Sequence, residues 1–325
     1  MQKFYHYRLS LGVFLFVTLF LSGIHLYMDS DILVMERFVT GGAWIEILLV
    51  SIWGSFLAYK MEDPLKAPFW RKSSWLLFSV VFFGQFLLGI LGFERFLMTG
   101  DVHLPVPAMI ISGPVYRGEL TIMVFLFLST VLLTGPAWCS HLCYFGGIDN
   151  ATADIRKNNR SWKNKRQVKH LVFFCILIVT LIFRLINLQR IYALAGGIVA
   201  GGVGAALILF KSGKEGKMAN CVLYCPVGTL VMYLKRINPF SMYIDSSCNN
   251  CGTCSSACNY DALTMRDIHQ NKPGTTCTYC GDCLSACNHQ AIKYKLFGLQ
   301  AEKARRIYLF LTVSFYTIFL ALAKV

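Results

Sequence analysis

The sequence predicts an α-helical membrane protein with about seven transmembrane helices and one small, cysteine-rich α+β domain outside the membrane. The 325-residue chain is 55% apolar and only 15% charged, with a mean hydropathy of +0.52. This composition is far from that of soluble enzymes. The apolar residues form long uninterrupted segments, and ten of the thirteen cysteines lie in the one long polar segment, residues 211–306.

Seven apolar segments are long enough to cross the roughly 30 Å hydrocarbon core of a bilayer, which takes about 20 helical residues. They cover residues 9–28, 38–59, 73–93, 120–140, 170–188, 191–210 and 307–323. The last segment is short, but the basic side chains that flank it can reach the interfaces by snorkelling. We therefore expect a transmembrane domain of six spans over residues 1–240, a cytoplasmic domain over 241–300 and a C-terminal transmembrane helix over 301–325.

Basic residues indicate the orientation of these spans. If the N-terminus is inside, 25 of the 31 Lys and Arg residues lie in the inner segments. Cytoplasmic loops of membrane proteins carry such an excess of Lys and Arg. We therefore expect the N-terminus and residues 211–306 to be cytoplasmic. Membrane topology accounts for the net charge of +14, so we expect contact with lipid and no nucleic-acid partner.

The polar segment contains a direct repeat of 29 residues: CNNCGTCSSACNYDAL begins at Cys248, and CTYCGDCLSACNHQAI begins at Cys277. Each copy reads C-x2-C-x2-C-x3-C. This is the spacing of bacterial ferredoxins with two 4Fe-4S clusters, in which the fourth cysteine of one copy ligates the other cluster. The sequence thus predicts a bacterial-type double 4Fe-4S ferredoxin domain. We expect one cluster on Cys248, Cys251, Cys254 and Cys287, and a second on Cys277, Cys280, Cys283 and Cys258.

Zinc is the alternative metal for these eight thiolates, because structural zinc sites also use four cysteines. Zinc sites typically place two C-x2-C pairs on either side of a longer loop, whereas each copy of the repeat has three cysteines within seven residues. The repeat has Asn259 and Asn288 where bacterial ferredoxins usually have a proline after the fourth cysteine. The cysteine spacing nevertheless favours iron-sulfur clusters.

Two further pairs of cysteines lie at the inner ends of predicted spans. Cys139 and Cys143 end the fourth span, and Cys221 and Cys225 follow the sixth. The i, i+4 spacing puts both sulfurs of a pair on one face of a helix. We consider the four thiols a candidate third site for an iron-sulfur cluster or for copper, since soft thiolates favour Cu(I). Redox-active thiols and simple apolar packing are the alternatives, and packing is what we expect of Cys175 in the fifth span.

Ionisable side chains inside spans are costly and are therefore functional candidates. His25 and Glu46 lie in the outer halves of the first two predicted spans, and Asp101 and His103 lie in the second outer loop. Imidazoles and carboxylates can accept the protons that quinol oxidation releases. These four residues are therefore a candidate catalytic site for quinone. Alternatively, Glu46 forms a structural ion pair with Arg184, and His25 reaches the lipid headgroups.

Together, the spans, the two C-x3-C boundary motifs and the double-cluster repeat resemble the membrane polyferredoxins over residues 120–295. This family includes the quinol-oxidising subunit of periplasmic nitrate reductase, the nitrous-oxide reductase maturation flavoprotein and the oxidase-assembly cupric reductase. The resemblance implies an oxidoreductase subunit in the prokaryotic cytoplasmic (inner) membrane. It would pass electrons between the quinone pool and a redox partner, either another subunit or a soluble carrier. The alternative is an assembly factor that binds or reduces copper for a respiratory enzyme.

The chain also departs from the family pattern. Tyr144 follows Cys143 where the first boundary motif usually has proline, and the extracytoplasmic flavin domain of some members is absent. These departures leave open which member of the family the chain resembles most.

Overall fold

The computed structural model describes residues 2–27, 32–96, 106–120, 122–156 and 161–322. This part of the chain is mostly helical and contains one two-stranded sheet. In chain order the helices are α1 (Gln2–Tyr27), α2 (Gly42–Glu62), α3 (Ala67–Ile90), α4 (Met109–Arg117), α5 (Ile122–Thr134), α6 (Tyr144–Ala153), α7 (Lys165–Leu185), α8 (Arg190–Leu207), α9 (Gly213–Glu215), α10 (Pro226–Leu234), α11 (Thr253–Ala257), α12 (Met265–His269), α13 (Asp282–Ser285) and α14 (Ala301–Leu322). The strands are β1 (Phe240–Ile244) and β2 (Ile292–Leu296).

Seven helical segments in the described part of the chain are long and apolar enough to cross a membrane. Their number agrees with the sequence prediction and indicates a membrane protein. The segments are Tyr7–Tyr27, Gly42–Glu62, Ala67–Ile90, Val124–Leu142, Lys165–Leu185, Arg190–Glu215 and Ala301–Leu322.

The second span begins at Gly42, four residues later than predicted from hydropathy. Gly41 has a left-handed backbone with φ of 81°, a conformation that glycine adopts without steric cost. The Glu36 carboxylate accepts hydrogen bonds from the amides of Gly41 and Ala43, each at 2.9 Å. Because the first amides of a helix have no partner within the helix, this contact fixes where α2 starts.

The last span, α14, lies in the interior of the helical bundle. It contacts α1, α2 and α5, and Tyr316 on it is buried with its hydroxyl donating to the Ser74 carbonyl at 2.8 Å. In contrast, α7 presents exposed apolar side chains such as Leu171 and Phe174. Large exposed apolar side chains along a whole helix are expected where the helix faces lipid. The order of the spans along the chain therefore does not follow their depth in the bundle.

The small sheet attaches the cysteine-rich segment to the N-terminal part of α14. β1 and β2 pair antiparallel, with Phe240 opposite Leu296 and Ile244 opposite Ile292. The ring of Tyr308 on α14 lies 5.3 Å from the ring of Phe240. Such aromatic contacts stabilise the packing beyond the area they bury. The cysteine-rich domain is therefore held against the bundle by its own strands.

The 29-residue sequence repeat is also a repeat of backbone conformation. Asn250 and Tyr279, which lie 29 residues apart, both have φ of 58°. Gly281 shows why one such position needs glycine, because a Cβ there would lie 2.8 Å from the Tyr294 hydroxyl oxygen. The left-handed residues form three pairs at this separation, namely Asn250 with Tyr279, Gly252 with Gly281 and Asp261 with Gln290.

Candidate iron-sulfur site

Four cysteines, which we call the distal group, line one cavity at the surface of the cysteine-rich domain. They are Cys248, Cys251, Cys254 and Cys287, and the cavity measures about 340 Å³ including its open mouth. The Cys254 thiol interacts electrostatically with the other three. Cys254 is buried, whereas Cys251 is exposed. The structure thus brings the fourth cysteine of the second repeat to the first three of the first repeat.

Four other cysteines form the proximal group: Cys258, Cys277, Cys280 and Cys283. The Cys283 thiol interacts electrostatically with the other three. Burial raises the pKa of Cys258 and of Cys277 to about 11 and that of Cys280 to about 12, because a buried thiolate loses its hydration. Without metal these thiols are therefore protonated at neutral pH, and metal binding must release their protons.

Backbone amides donate to the sulfur of the fourth cysteine in each copy of the repeat. The Ala262 amide lies 3.4 Å from the Cys258 sulfur, and the Ala291 amide lies 3.3 Å from the Cys287 sulfur. Hydrogen bonds to ligand sulfurs stabilise the thiolate and influence the reduction potential of a cluster. The two copies therefore give their fourth cysteines the same local environment.

The four cysteines of the two C-x3-C motifs, here called the boundary cysteines, also form one group. They are Cys139, Cys143, Cys221 and Cys225, and Cys221 interacts electrostatically with the other three. All four line a cavity of about 500 Å³, open space at its mouth included, together with Cys277 of the proximal group. The structure therefore brings together cysteines at the ends of two separate spans and places them next to the cysteine repeat.

The i, i+4 spacing predicts that each boundary pair lies on a regular α-helix, and this prediction is wrong in the structure. Trp138–Leu142 and Asn220–Tyr224 are π-helical turns, and Cys143 and Cys225 after them are extended, with ψ of 115° and 117°. A π-helical turn is wider than an α-helical one, and such turns are frequent at functional sites. In both motifs the second cysteine is consequently the residue that precedes a new helix, α6 or α10.

The second cysteine of each pair therefore lies at the N-terminus of a helix. The amides of Phe145 and Gly146 hydrogen-bond to the Cys143 thiol, and those of Val227 and Gly228 do the same for Cys225. Helix N-termini favour negative charge and stabilise thiolates. Burial nevertheless raises the pKa of Cys143 to about 12. The site therefore suits a thiolate that is also bound to metal.

Side-chain hydrogen bonds connect the first boundary motif to the cysteine repeat. The buried Arg71 donates to both carboxylate oxygens of Asp282, at 2.8 and 2.6 Å, and to the Ser140 carbonyl at 2.8 Å. The Tyr260 hydroxyl donates to the Cys139 carbonyl at 2.5 Å. Bidentate arginine–carboxylate pairs are strong and directional. These contacts fix the separation between the boundary cysteines and the proximal group.

The second boundary motif is fixed by a buried carboxylate. Asp149 has no exposed surface and accepts hydrogen bonds from the Cys221 amide at 2.9 Å and the Ser212 hydroxyl at 2.5 Å. Burial raises the pKa of Asp149 to about 6. Neither Arg71 nor Asp149 was predicted from the sequence. The available signals were the position of Arg71 as a charged residue near the end of a span and the position of Asp149 six residues after Cys143.

Of the four predicted quinone residues, the structure describes His25 and Glu46. The Glu46 carboxylate accepts a hydrogen bond from the Met35 amide at 2.8 Å, and the His25 ring meets the Trp44 ring edge-on at 5.2 Å. Glu46 precedes Met61, which lies near the C-terminal end of α2, by 15 residues, so about 22 Å of helix separates these two residues. Asp101 and His103 lie outside the described residues.

The alternative interpretation is that Glu46 forms an ion pair with Arg184, and the contacts of both side chains bear on it. The Arg184 guanidinium donates to the Val115 carbonyl at 3.1 Å and lies against Gly118, where a Cβ would approach it to 2.5 Å. The Glu46 carboxylate contacts the loop before α2 instead. Each of these two polar groups thus has a local backbone partner.

Within the residues that the structure describes, no three His, Cys, Asp or Glu side chains lie close enough together to hold one metal ion. A zinc ion holds its thiolates at about 2.3 Å, so its ligand sulfurs must nearly touch. The distal and boundary thiols instead line cavities.

Comparison with known proteins gives one match. A family model described as a 4Fe-4S binding domain matches residues 118–163, a range that includes Cys139 and Cys143 but not the cysteine repeat. No curated protein and no solved structure matches the chain. The chain is accordingly an iron-sulfur protein with at least one 4Fe-4S cluster, a cofactor whose usual function is electron transfer.

Proposed function

We propose that this chain is a membrane-bound electron-transfer protein of the polyferredoxin type. It passes electrons between membrane quinone and a protein redox partner through three 4Fe-4S clusters, held by the boundary, proximal and distal groups. The observation that carries the proposal is the order of these groups. They form a series from the membrane edge to the exposed surface, and each group lies next to the following one.

The first step of the series joins the boundary cysteines to the proximal group. Cys277 lines the same cavity as the boundary cysteines. Cys221, Cys258 and Cys280 pack around one apolar cluster that includes the buried ring of Tyr260. Apolar side chains exclude water between the two groups, and the low local dielectric reduces the reorganisation that accompanies each charge transfer. An electron can therefore move between these groups without crossing solvent.

The second step leads from the proximal group to the distal group and then to a partner. The two groups exchange their fourth cysteines, Cys258 and Cys287, so each cluster is attached to both copies of the repeat. The exposed Cys251 lies at the far end of the series, where His289 and Asn249 also line the cavity. A soluble carrier or another subunit would approach the distal cluster here.

Each group of residues has a defined function in this proposal. The clusters, when bound, would each carry one electron at a time. The cysteines hold the clusters, and the pair of Arg71 and Asp282 keeps the boundary motif at a fixed position relative to the proximal group. The buried Tyr260 fills the space between them. Iron rather than copper at the boundary is supported by the 4Fe-4S domain match over Cys139 and Cys143.

Metal and sulfide analysis tests the number of clusters. We expect about 12 iron and 12 sulfide per anaerobically purified chain, because each cubane contains four of each. Cys221→Ala should lose about four irons, the boundary share. Cys175→Ala is the matched control, since Cys175 is exposed on α7, and it should keep the full complement. About eight irons in both the parent and Cys221→Ala would contradict the third cluster, and stoichiometric copper would favour an assembly factor.

The quinone part of the proposal needs its own measurement. The oxidised protein in detergent is mixed with a menaquinol or ubiquinol analogue. The quinol should bleach the cluster absorbance and produce the EPR signal of reduced 4Fe-4S centres. Cys221→Ala should respond much more slowly, because the boundary cluster is the first acceptor. Reduction by dithionite without any response to quinol would remove quinone from the proposal and leave the clusters in place.

A further inference from the structure

Lys169 is a buried cation at the boundary site. Its side chain is 4% exposed and lines the cavity that the four boundary cysteines line. It interacts electrostatically with Cys225, Cys139 and Cys221. Among the described residues, no carboxylate lies within ion-pair distance of its ammonium group. Burying a charge without an opposite charge is strongly unfavourable, so the site as folded lacks a negative charge that the lysine would balance.

The neighbouring helix leaves room for this ammonium group. Gly228 lies in the first turn of α10, and a Cβ at this position would lie 3.0 Å from the Lys169 nitrogen and 3.4 Å from its Cε. The same glycine donates its amide to the Cys225 thiol. A Cβ at this position would require the end of the lysine side chain to shift by a few tenths of an ångström. Gly228 thus brings a cation and a ligand thiolate close together.

The other lysines near the cysteine groups have ordinary acceptors. Lys235 also lines the cavity, but its ammonium group donates to the carbonyl oxygens of Thr275 at 2.5 Å and Cys277 at 3.1 Å. Lys217 donates to the carbonyl oxygens of Ser255 and Cys258. These two lysines connect loops of the domain. Lys169 differs from them because its ammonium group has no carbonyl or carboxylate partner among the described residues, and the groups that attract it are the thiols of Cys225, Cys139 and Cys221. This indicates a function tied to what those thiols bind.

We propose that Lys169 compensates the negative charge of the boundary cluster and thereby makes this cluster easier to reduce. The inference rests on the proposed function, since it requires a cluster on the boundary cysteines. A 4Fe-4S cluster with four thiolates is negatively charged and becomes more so when it accepts an electron. A fixed cation in a poorly polarisable site attracts the reduced form more strongly, and the potentials of such clusters depend on nearby charge.

The test is an EPR-monitored redox titration of the purified holoprotein and two variants. Lys169→Met removes the charge but keeps an unbranched apolar chain, and Lys169→Arg keeps the charge. We expect Lys169→Met to lower the equilibrium constant for reduction of the boundary cluster at least tenfold, which is about 59 mV for one electron. Lys169→Arg should shift it far less. The distal cluster, remote from Lys169, is the internal reference and should keep its potential in both variants.

Iron content separates the possible outcomes. If Lys169→Met keeps all its iron and its boundary potential is unchanged, the inference is wrong while the proposed function stands. If Lys169→Met loses the boundary iron and Lys169→Arg retains it, the cluster needs the positive charge in order to assemble. This outcome supports charge compensation. Loss in both variants would overturn the inference, because shape rather than charge would then be required. Absence of a Cys221-dependent cluster in the parent protein would refute the proposed function itself.

Discussion

At the scale of single residues, the contact between Arg71 and Asp282 connects the helical bundle to the cysteine repeat. Both side chains are buried, and Asp282 lies between two cysteines of the proximal group. A buried ion pair contributes little net stability, because both charges lose their hydration. Removing one partner is costly, since the other charge remains buried. The pair therefore acts mainly by fixing one arrangement of the two parts.

Asp282→Asn tests this contact. The substitution keeps the shape of the side chain but leaves the Arg71 charge without its carboxylate, so we expect a loss of about 3 kcal/mol or more in the free energy of unfolding. Denaturant titration of the detergent-solubilised protein measures it. Asp245→Asn is the matched control, because Asp245 pairs with Lys293 at the exposed surface, where ion pairs contribute little. Equal destabilisation by both variants would contradict the structural function of Arg71.

At the scale of elements, each boundary motif is a turn followed by a helix that must approach its neighbours closely. In α6 the first turn packs on α3, where Gly147 faces Ser79 and Trp75 without any intervening side chain. Small residues allow helix backbones in membranes to approach each other in this way. The cysteine spacing identified the two motifs. The π-helical turns could not be predicted, because they depend on where the second helix is held.

Gly147→Ala tests the close approach of α6 to α3. A Cβ at Gly147 would lie 2.1 Å from the Ser79 hydroxyl oxygen and 2.9 Å from the Trp75 carbonyl oxygen, so one of the helices must move. We expect about 1–3 kcal/mol of destabilisation, as for overpacked cores, together with a broadened EPR signal of the boundary cluster. Gly84→Ala is the control, since a Cβ there meets nothing within 4 Å, and it should leave both the stability and the spectrum unchanged.

At the scale of the whole molecule, the distribution of basic residues predicts that the ferredoxin domain faces the cytoplasm. The arrangement of the lysines adds a restriction on partner binding. Lys217 and Lys235 are engaged with carbonyl groups of the domain itself, so neither offers its charge to an incoming acidic protein. A partner would instead meet the surface around Cys251. The orientation and the docking face can be tested separately.

Limited proteolysis of membrane vesicles tests the orientation. Arg236 is exposed in the turn between α10 and β1, so trypsin should cut at this end of the domain in inside-out vesicles. In right-side-out vesicles the same bond should be protected, because the bilayer separates it from the protease. Detergent-treated vesicles are the control, in which both preparations should be cut equally. Cleavage of intact right-side-out vesicles would reverse the predicted topology.

The sequence alone determined the number of candidate spans and the identity of the cysteines, because hydropathy and ligand spacing are properties of short stretches of chain. It indicated the expected exchange of fourth cysteines for the same reason, since the repeat preserves the spacing. Only the tertiary structure decided which groups are neighbours. Arg71 meets Asp282 across 211 residues of chain, and Lys169 meets cysteines from two other segments. Such contacts depend on how the helices pack, and no local pattern of residues records that packing.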